Sequence, residues 1–111
     1  MPTTTITRIE SLRDKLGITQ KTMARLVGVT ERTVIDLENG RKASEAVARR
    51  LTELERLFKS LSKVVRARAI SNWLSESNQA FAGDSPIDII AAGKVDLLWQ
   101  MIFQLRAGVG S

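Results

Sequence analysis

The most specific chemistry in this sequence lies in a short polar stretch that follows Thr30 and has the spacing of one face of a helix. The guanidinium of Arg32 could donate two hydrogen bonds to the edge of a guanine, and Glu31 could accept one from a cytosine amino group. Thr33 could contact a phosphate or a thymine methyl group, and Asp36 shares the outward face. Such side chains are typical of a helix that reads base edges in the major groove.

Polar residues on either side of this stretch could position a duplex without reading its sequence, because contacts to phosphates fix register alone. By their proximity, the candidates are Lys21, Asn39, Arg41 and Lys42. The carboxylates of Asp36, Glu31 and Glu38 lie on or near the same surface and would repel phosphates. The pattern therefore leaves open a helical scaffold that binds no DNA.

The elements that must hold these residues are helices. Apolar residues at steps of three and four predict helices over about 5–16, 20–26, 31–38 and 44–61. Thr19 and Thr30 are suited to cap the second and third of them, and Gly28 supplies the turn between the two. Ala24 is small where these helices would cross, and Val34 and Leu37 face inward.

The segment from Gln20 to Gly40, with Ala24, Gly28, Val34 and Leu37 at these positions, resembles the helix-turn-helix of the Xre/Cro/CI family. The resemblance implies DNA binding through the second helix of the motif, and it places Gln20 at a backbone phosphate. Thr30, which would cap that second helix, is also assigned to the DNA-binding residues. The complete predicted DNA-binding set is Gln20, Lys21, Thr30, Glu31, Arg32, Thr33, Asp36, Asn39, Arg41 and Lys42.

Composition narrows the possible functions. The chain has 111 residues, a net charge of +5 and neither Cys nor His, which excludes disulfides, thiolate nucleophiles and His or Cys metal ligands. Residues 1–68 carry a net charge of +7 and residues 69–111 one of −2. We therefore predict two modules, residues 1–62 and residues 63–111, of which the first favours a polyanionic partner.

The second module is also predicted to be helical, with a short helix opened by Ser85 and Pro86 and a last helix from Val95 to about Leu105. Its large apolar residues are expected to lie in the core or in a dimer interface. They are Trp73, Phe81, Leu98, Trp99 and Ile102.

This module is similar to the C-terminal domain of the Xre/MbcA/ParS-type antitoxins. The similarity rests on the pair Trp73-Leu74, the loop from Asn78 to Gly83, Ser85-Pro86 and Gly93. One departure is Gln79, which stands where the family commonly has Pro.

That similarity implies a partner, a RES-domain toxin that consumes NAD, and a C-terminal module that both dimerises and binds the toxin. It also implies that the end of the chain reaches the toxin's active-site cleft. The predicted toxin contacts are Arg106, Ala107, Gly108 and Val109.

We therefore predict an all-α, cytoplasmic, homodimeric protein without metal, cofactor or enzymatic activity. It would neutralise a RES-type toxin and repress its own operon at a pseudo-palindromic operator. Two alternatives stay open: a dimeric regulator without a toxin, and a toxin-binding protein whose helix-turn-helix does not bind DNA. No run approaches the roughly 18 apolar residues that a membrane-spanning helix needs.

Overall fold

The computed structural model describes residues 5–109, and within that range all regular structure is helical, which confirms the all-α prediction. The α-helices in chain order are α1 (Thr5–Leu16), α2 (Gln20–Val27), α3 (Glu31–Glu38), α4 (Glu45–Leu61), α5 (Ala67–Ser75), α6 (Pro86–Ala91) and α7 (Val95–Val109). A single 3-10 turn, Gln79–Phe81, lies between α5 and α6.

The described residues divide into two compact units, and the division falls between Arg56 and Leu57, inside α4. The first unit therefore contains α1 to α3 and most of α4. The second contains the end of α4 and the helices that follow it. A functional boundary after residue 62 stays a prediction.

In the first unit, side-chain caps and one glycine set the limits of α2 and α3. The hydroxyl oxygens of Thr19 and Thr30 each accept a hydrogen bond from the backbone N–H three residues later, at 3.1 Å. Gly28 ends α2 with a φ of +84°, and its N–H donates to the Ala24 carbonyl at 2.8 Å. A residue with a side chain would be strained at that φ, so Gly28 makes the sharp turn into α3.

The core of the first unit forms where apolar faces of the four helices meet. Ala24 is only 4% exposed, and its small side chain is buried beside α3, against which α2 packs. The other buried residues are Ile9, Leu12, Leu16, Ile18, Met23, Leu26, Val27, Val34, Leu37, Leu51 and Leu54. The inward positions predicted for Ala24, Val34 and Leu37 are thus confirmed.

One carboxylate joins three helices of this unit. The guanidinium of Arg13 on α1 donates to both oxygens of Glu38 on α3, at 2.8 and 3.2 Å. The side-chain amide of Gln20 on α2 donates to the same carboxylate at 3.0 Å. We call these three residues the Glu38 clasp. Since the Glu38 side chain is only 11% exposed, water screens this ion pair less than one at the surface.

Two further arginines attach α4 to the same unit. Arg50 donates from Nε to the carbonyl of Leu26, near the end of α2, at 3.0 Å. Arg8 on α1 donates to Thr52 at 2.9 Å and to the carboxylate of Glu55. The hydrogen bond to Glu55 raises the pKa of Arg8 above the ordinary arginine value.

The second unit has its own apolar core, in which α6 packs against α5 and α7. The helix α6 is six residues long but buries most of its side chains, so packing rather than length stabilises it. The buried apolar residues of this unit are Leu57, Phe58, Leu61, Ile70, Leu74, Phe81, Pro86, Ile87, Ile89, Ile90, Leu98 and Ile102.

The loop before α6 is ordered by its own hydrogen bonds. The Asn78 backbone donates to the Asp84 carbonyl at 3.1 Å, and the Asn78 carbonyl accepts from Gly83 at 3.0 Å. Ser85 then begins α6 with a capping box, in which its hydroxyl accepts from the N–H of Asp88 and its own N–H donates to the Asp88 carboxylate, both at 3.2 Å.

The last helix corrects one prediction. We expected it to end near Leu105, but α7 continues to Val109. One glycine in a helix costs only about 1 kcal/mol, which does not stop a helix whose preceding residues Arg106 and Ala107 favour helical structure. Leu105, near the expected end of the helix, is 42% exposed. None of the described helices is long and apolar enough to cross a membrane.

We expect Glu38→Gln to destabilise the first unit by about 1 to 3 kcal/mol, because it removes the charge that pairs with a largely buried guanidinium. Urea unfolding followed by circular dichroism measures this change. Asp36→Asn, which breaks an exposed pair on the same helix, is the matched control and should change stability by less than about 0.5 kcal/mol. Equal effects of the two substitutions would contradict a structural role of the clasp.

In the second unit, Ser85→Ala should lower stability by about 1 kcal/mol, because the first turn of α6 loses its cap. Both tryptophans, Trp73 and Trp99, belong to this unit, so their fluorescence in urea reports its unfolding. Ser77→Ala, at an exposed serine in the preceding loop, serves as the control. A transition midpoint for Ser85→Ala that coincides with that of the control would show that the cap is dispensable.

Candidate nucleic-acid interface

The helix α3 presents a polar face away from the core. Glu31 and Arg32 are exposed at its first turn, and Thr33 and Asp36 are half-buried. Because Val34 and Leu37 are fully buried, they fix the rotation of α3 and so determine which residues point outward. The outward set is the one that sequence predicted, with Ile35 half-buried beside it. The arrangement suits a helix whose exposed side would enter a groove.

Two arginines pair with one carboxylate on this face. Arg32 Nε lies 3.2 Å from Asp36 Oδ1, one helical turn away, and Arg41 Nη1 lies 3.7 Å from Asp36 Oδ2. A carboxylate without a cationic partner would repel phosphates at this position. The charge of Asp36 is instead flanked by two guanidinium groups, which offset it locally.

A hollow of about 510 Å³ lies between α3 and the start of α4. Its lining consists of Val29, Thr33, Leu37, Arg41, Lys42, Ala43, Ser44 and Val47. The hollow therefore brings together three of the predicted DNA-binding residues, Thr33, Arg41 and Lys42. Since Arg41 and Lys42 are exposed cations, it could accept a phosphate group beside the outward face of α3.

The remaining predicted DNA-binding residues lie around this face. Lys21 is exposed near the start of α2, and Asn39 is exposed at the end of α3, where its N–H bonds α3 carbonyls. Thr30 caps α3 as expected. Gln20 donates to Glu38, and its amide nitrogen carries a second hydrogen that could bond a phosphate.

The sequence did not single out the positioning role of Glu38 and Arg13, or the contribution of Ser44 and Val47 to the hollow. Arg13 and Glu38 are 25 residues apart, and no periodicity links such positions. The available signal was charge: Glu38 is an acidic residue at a helix end where a basic residue is favourable, which suggests a partner from another element.

The predicted toxin contacts lie on the last turns of α7. Arg106, Ala107 and Gly108 are exposed, and Val109 ends the helix. Among the residues predicted for core or dimer contacts, Phe81, Leu98 and Ile102 are buried.

Trp73 and Trp99 are half-buried. The Trp99 ring lies 6.4 Å from that of Phe103, which is 65% exposed. Among the residues that the structure describes, no group of three or more acidic side chains is placed to hold a metal ion.

Comparisons with known proteins agree with a helix-turn-helix in the first unit. The helix-turn-helix family model matches residues 9–54, which contain most of α1, all of α2 and α3, and part of α4. No curated protein matches the sequence. A chain in the crystal structure of the M. tuberculosis MbcT-MbcA toxin-antitoxin complex has a similar fold, with a TM-score of 0.75 and 20% identity over 94% of this chain and 95% of that chain.

The chain thus contains a helix-turn-helix domain at residues 9–54, and over nearly its whole length it has the fold of a chain from a toxin-antitoxin complex, as its resemblance to Xre-type antitoxins implied.

Proposed function

We propose that this protein is the antitoxin of a toxin-antitoxin pair, which binds operator DNA with its first unit and a toxin with its second. The observation that carries the proposal is the combination of a helix-turn-helix domain with a fold found in a toxin-antitoxin complex. The helix-turn-helix domain favours the antitoxin role over the toxin role, because a DNA-binding domain suits the partner that also regulates transcription.

The support for DNA binding is the arrangement around α3. Arg32 is 81% exposed at the first turn, where recognition helices contact base edges. Arg41 and Lys42 stand at the hollow beside it, so base reading and phosphate contact can occur together. The net charge of +7 over residues 1–68 supplies long-range attraction to the duplex.

For the toxin, we infer a RES-domain enzyme that degrades NAD, as the sequence resemblance implies. Arg106 is an exposed cation in the last turn of α7, and a cation there complements the pyrophosphate space of an NAD cleft. Since residues 106–109 are helical, the proposed contact is made by the end of a helix. Such a contact would bind the toxin, and the antitoxin would catalyse no reaction.

We further propose a homodimer that represses its own operon. A two-fold axis would present two copies of α3 to half-sites about one DNA turn, roughly 34 Å, apart, so the operator should be pseudo-palindromic. The partly exposed Trp99 and the exposed Phe103 and Leu105 offer apolar surface for such a dimer.

Arg32→Ala should reduce discrimination between operator and altered sequences by about 1 to 3 kcal/mol, because a bidentate contact to guanine would be lost. Lys42→Ala should weaken binding to all sequences alike and reduce its salt dependence, because a phosphate contact reads no base. Fluorescence anisotropy with duplexes carrying single base changes, over a salt series, separates the two effects. A uniform loss on every duplex for both variants would contradict the division of roles.

Toxin neutralisation is tested by co-expression with the protein that the neighbouring reading frame encodes, scoring growth, cellular NAD and co-purification. The full chain should restore growth and NAD and form a stable complex. Arg106→Glu should abolish rescue, because it places a negative charge at an anion-binding cleft. Lys94→Glu, an equal charge reversal at an exposed site before α7, is the control and should preserve rescue.

The rival functions give different results in the same experiments. Absence of any complex and unchanged NAD, with operator binding intact, would identify a regulator without a toxin. Rescue without DNA binding would identify a toxin-binding protein whose helix-turn-helix is a scaffold.

A further inference from the structure

We propose that Asp36 contacts no base, and that it is a positioning residue which holds Arg32 in the orientation that reads one. This inference rests on the proposed DNA binding and names a specificity-determining residue for it. Sequence alone grouped Asp36 with the residues that could address base edges. The structure instead pairs its side chain with two arginines of the same surface.

The atoms engaged by the first pair determine what Arg32 can still do. Asp36 Oδ1 lies 3.2 Å from Nε of Arg32, the nitrogen nearest the aliphatic stem. The two terminal nitrogens of that guanidinium are the outer edge of the group, and they can donate in parallel to two acceptors such as O6 and N7 of guanine. The carboxylate thus occupies the inner side of the guanidinium and leaves the base-reading side outward.

Holding this side chain in place matters because Arg32 is 81% exposed and an arginine has many rotamers. A free side chain would lose that freedom on binding, and the loss weakens the contact. An ion pair within one helical turn restricts the rotamers before DNA arrives. The smaller loss of side-chain freedom strengthens binding to the correct base pair, because only that base pair offers acceptors to both terminal nitrogens.

The second pair links the same carboxylate to the hollow beside α3. Asp36 Oδ2 lies 3.7 Å from Nη1 of Arg41, and the Asp36 backbone carbonyl accepts from the Arg41 N–H at 2.9 Å. The main chain and the side chain of Asp36 therefore both contact Arg41, and the same side chain contacts Arg32. Asp36 sets the spacing between a predicted base contact and a predicted phosphate contact.

The effect of removing the negative charge of Asp36 distinguishes a positioning role from simple repulsion of phosphates and from a direct base contact. A carboxylate beside phosphates weakens affinity for every sequence, so its removal should strengthen non-specific binding. If Asp36 positions Arg32, the same removal should weaken discrimination. Opposite changes in these two quantities are the signature of a positioning carboxylate. A direct base contact by Asp36 would instead affect a base pair other than the one Arg32 reads.

The experiment uses the full chain and a DNA duplex that the wild-type chain selects from a randomised library, called the enriched duplex. A scrambled duplex and single-base variants of the enriched duplex serve for comparison. The measured quantity is the ratio of dissociation constants between these duplexes and the enriched one. We expect Asp36→Ala to lower the ratio about three- to tenfold at the base pair that Arg32→Ala affects, and to tighten binding to the scrambled duplex. The double variant should discriminate no less than Arg32→Ala alone.

Glu10→Ala is the charge-matched control, because it removes one exposed carboxylate from α1. It should tighten binding to all duplexes and leave the ratio unchanged. Additive losses in the double variant, losses at a different base pair, or an unchanged ratio for Asp36→Ala would each overturn the positioning role. Absence of salt-dependent binding by the wild-type chain would overturn DNA binding, and the role of Asp36 with it.

Discussion

The Glu38 carboxylate is the interaction on which the presentation of α3 depends. It stands at the end of α3, is largely removed from water, and receives hydrogen bonds from Arg13 on α1 and Gln20 on α2. A carboxylate so placed would be unfavourable without its partners, because burial of an unpaired charge is costly. The pairing therefore requires α1, α2 and α3 to approach in one arrangement, and apolar packing around Val34 and Leu37 then fixes the rotation of α3.

Two acidic residues that are two positions apart on α3 thus take opposite roles. Glu38 faces the other helices and has a structural function, whereas Asp36 faces outward and pairs with exposed arginines. Burial explains the difference, since Glu38 is largely removed from water, whereas an ion pair at the surface contributes little to stability. On the outward face of α3, the carboxylate of Asp36 is offset by the two arginines beside it.

The second unit reaches stability by other means. Its six-residue helix α6 begins with the capping box of Ser85 and Asp88, and it is buried on most sides. The loop before it is held by its own backbone hydrogen bonds, including those of Asn78. On α7, the large apolar side chains of Phe103 and Leu105 are exposed.

The sequence by itself determined the helical class, the two threonine caps, the turn at Gly28 and the inward residues of α3, because all of these depend on neighbours within a few positions. It also placed Arg32 outward. Tertiary structure alone decided that Glu38 joins three helices. The physical reason is range: caps and periodicity are local, whereas an ion pair across 25 residues is settled only by how the helices pack together.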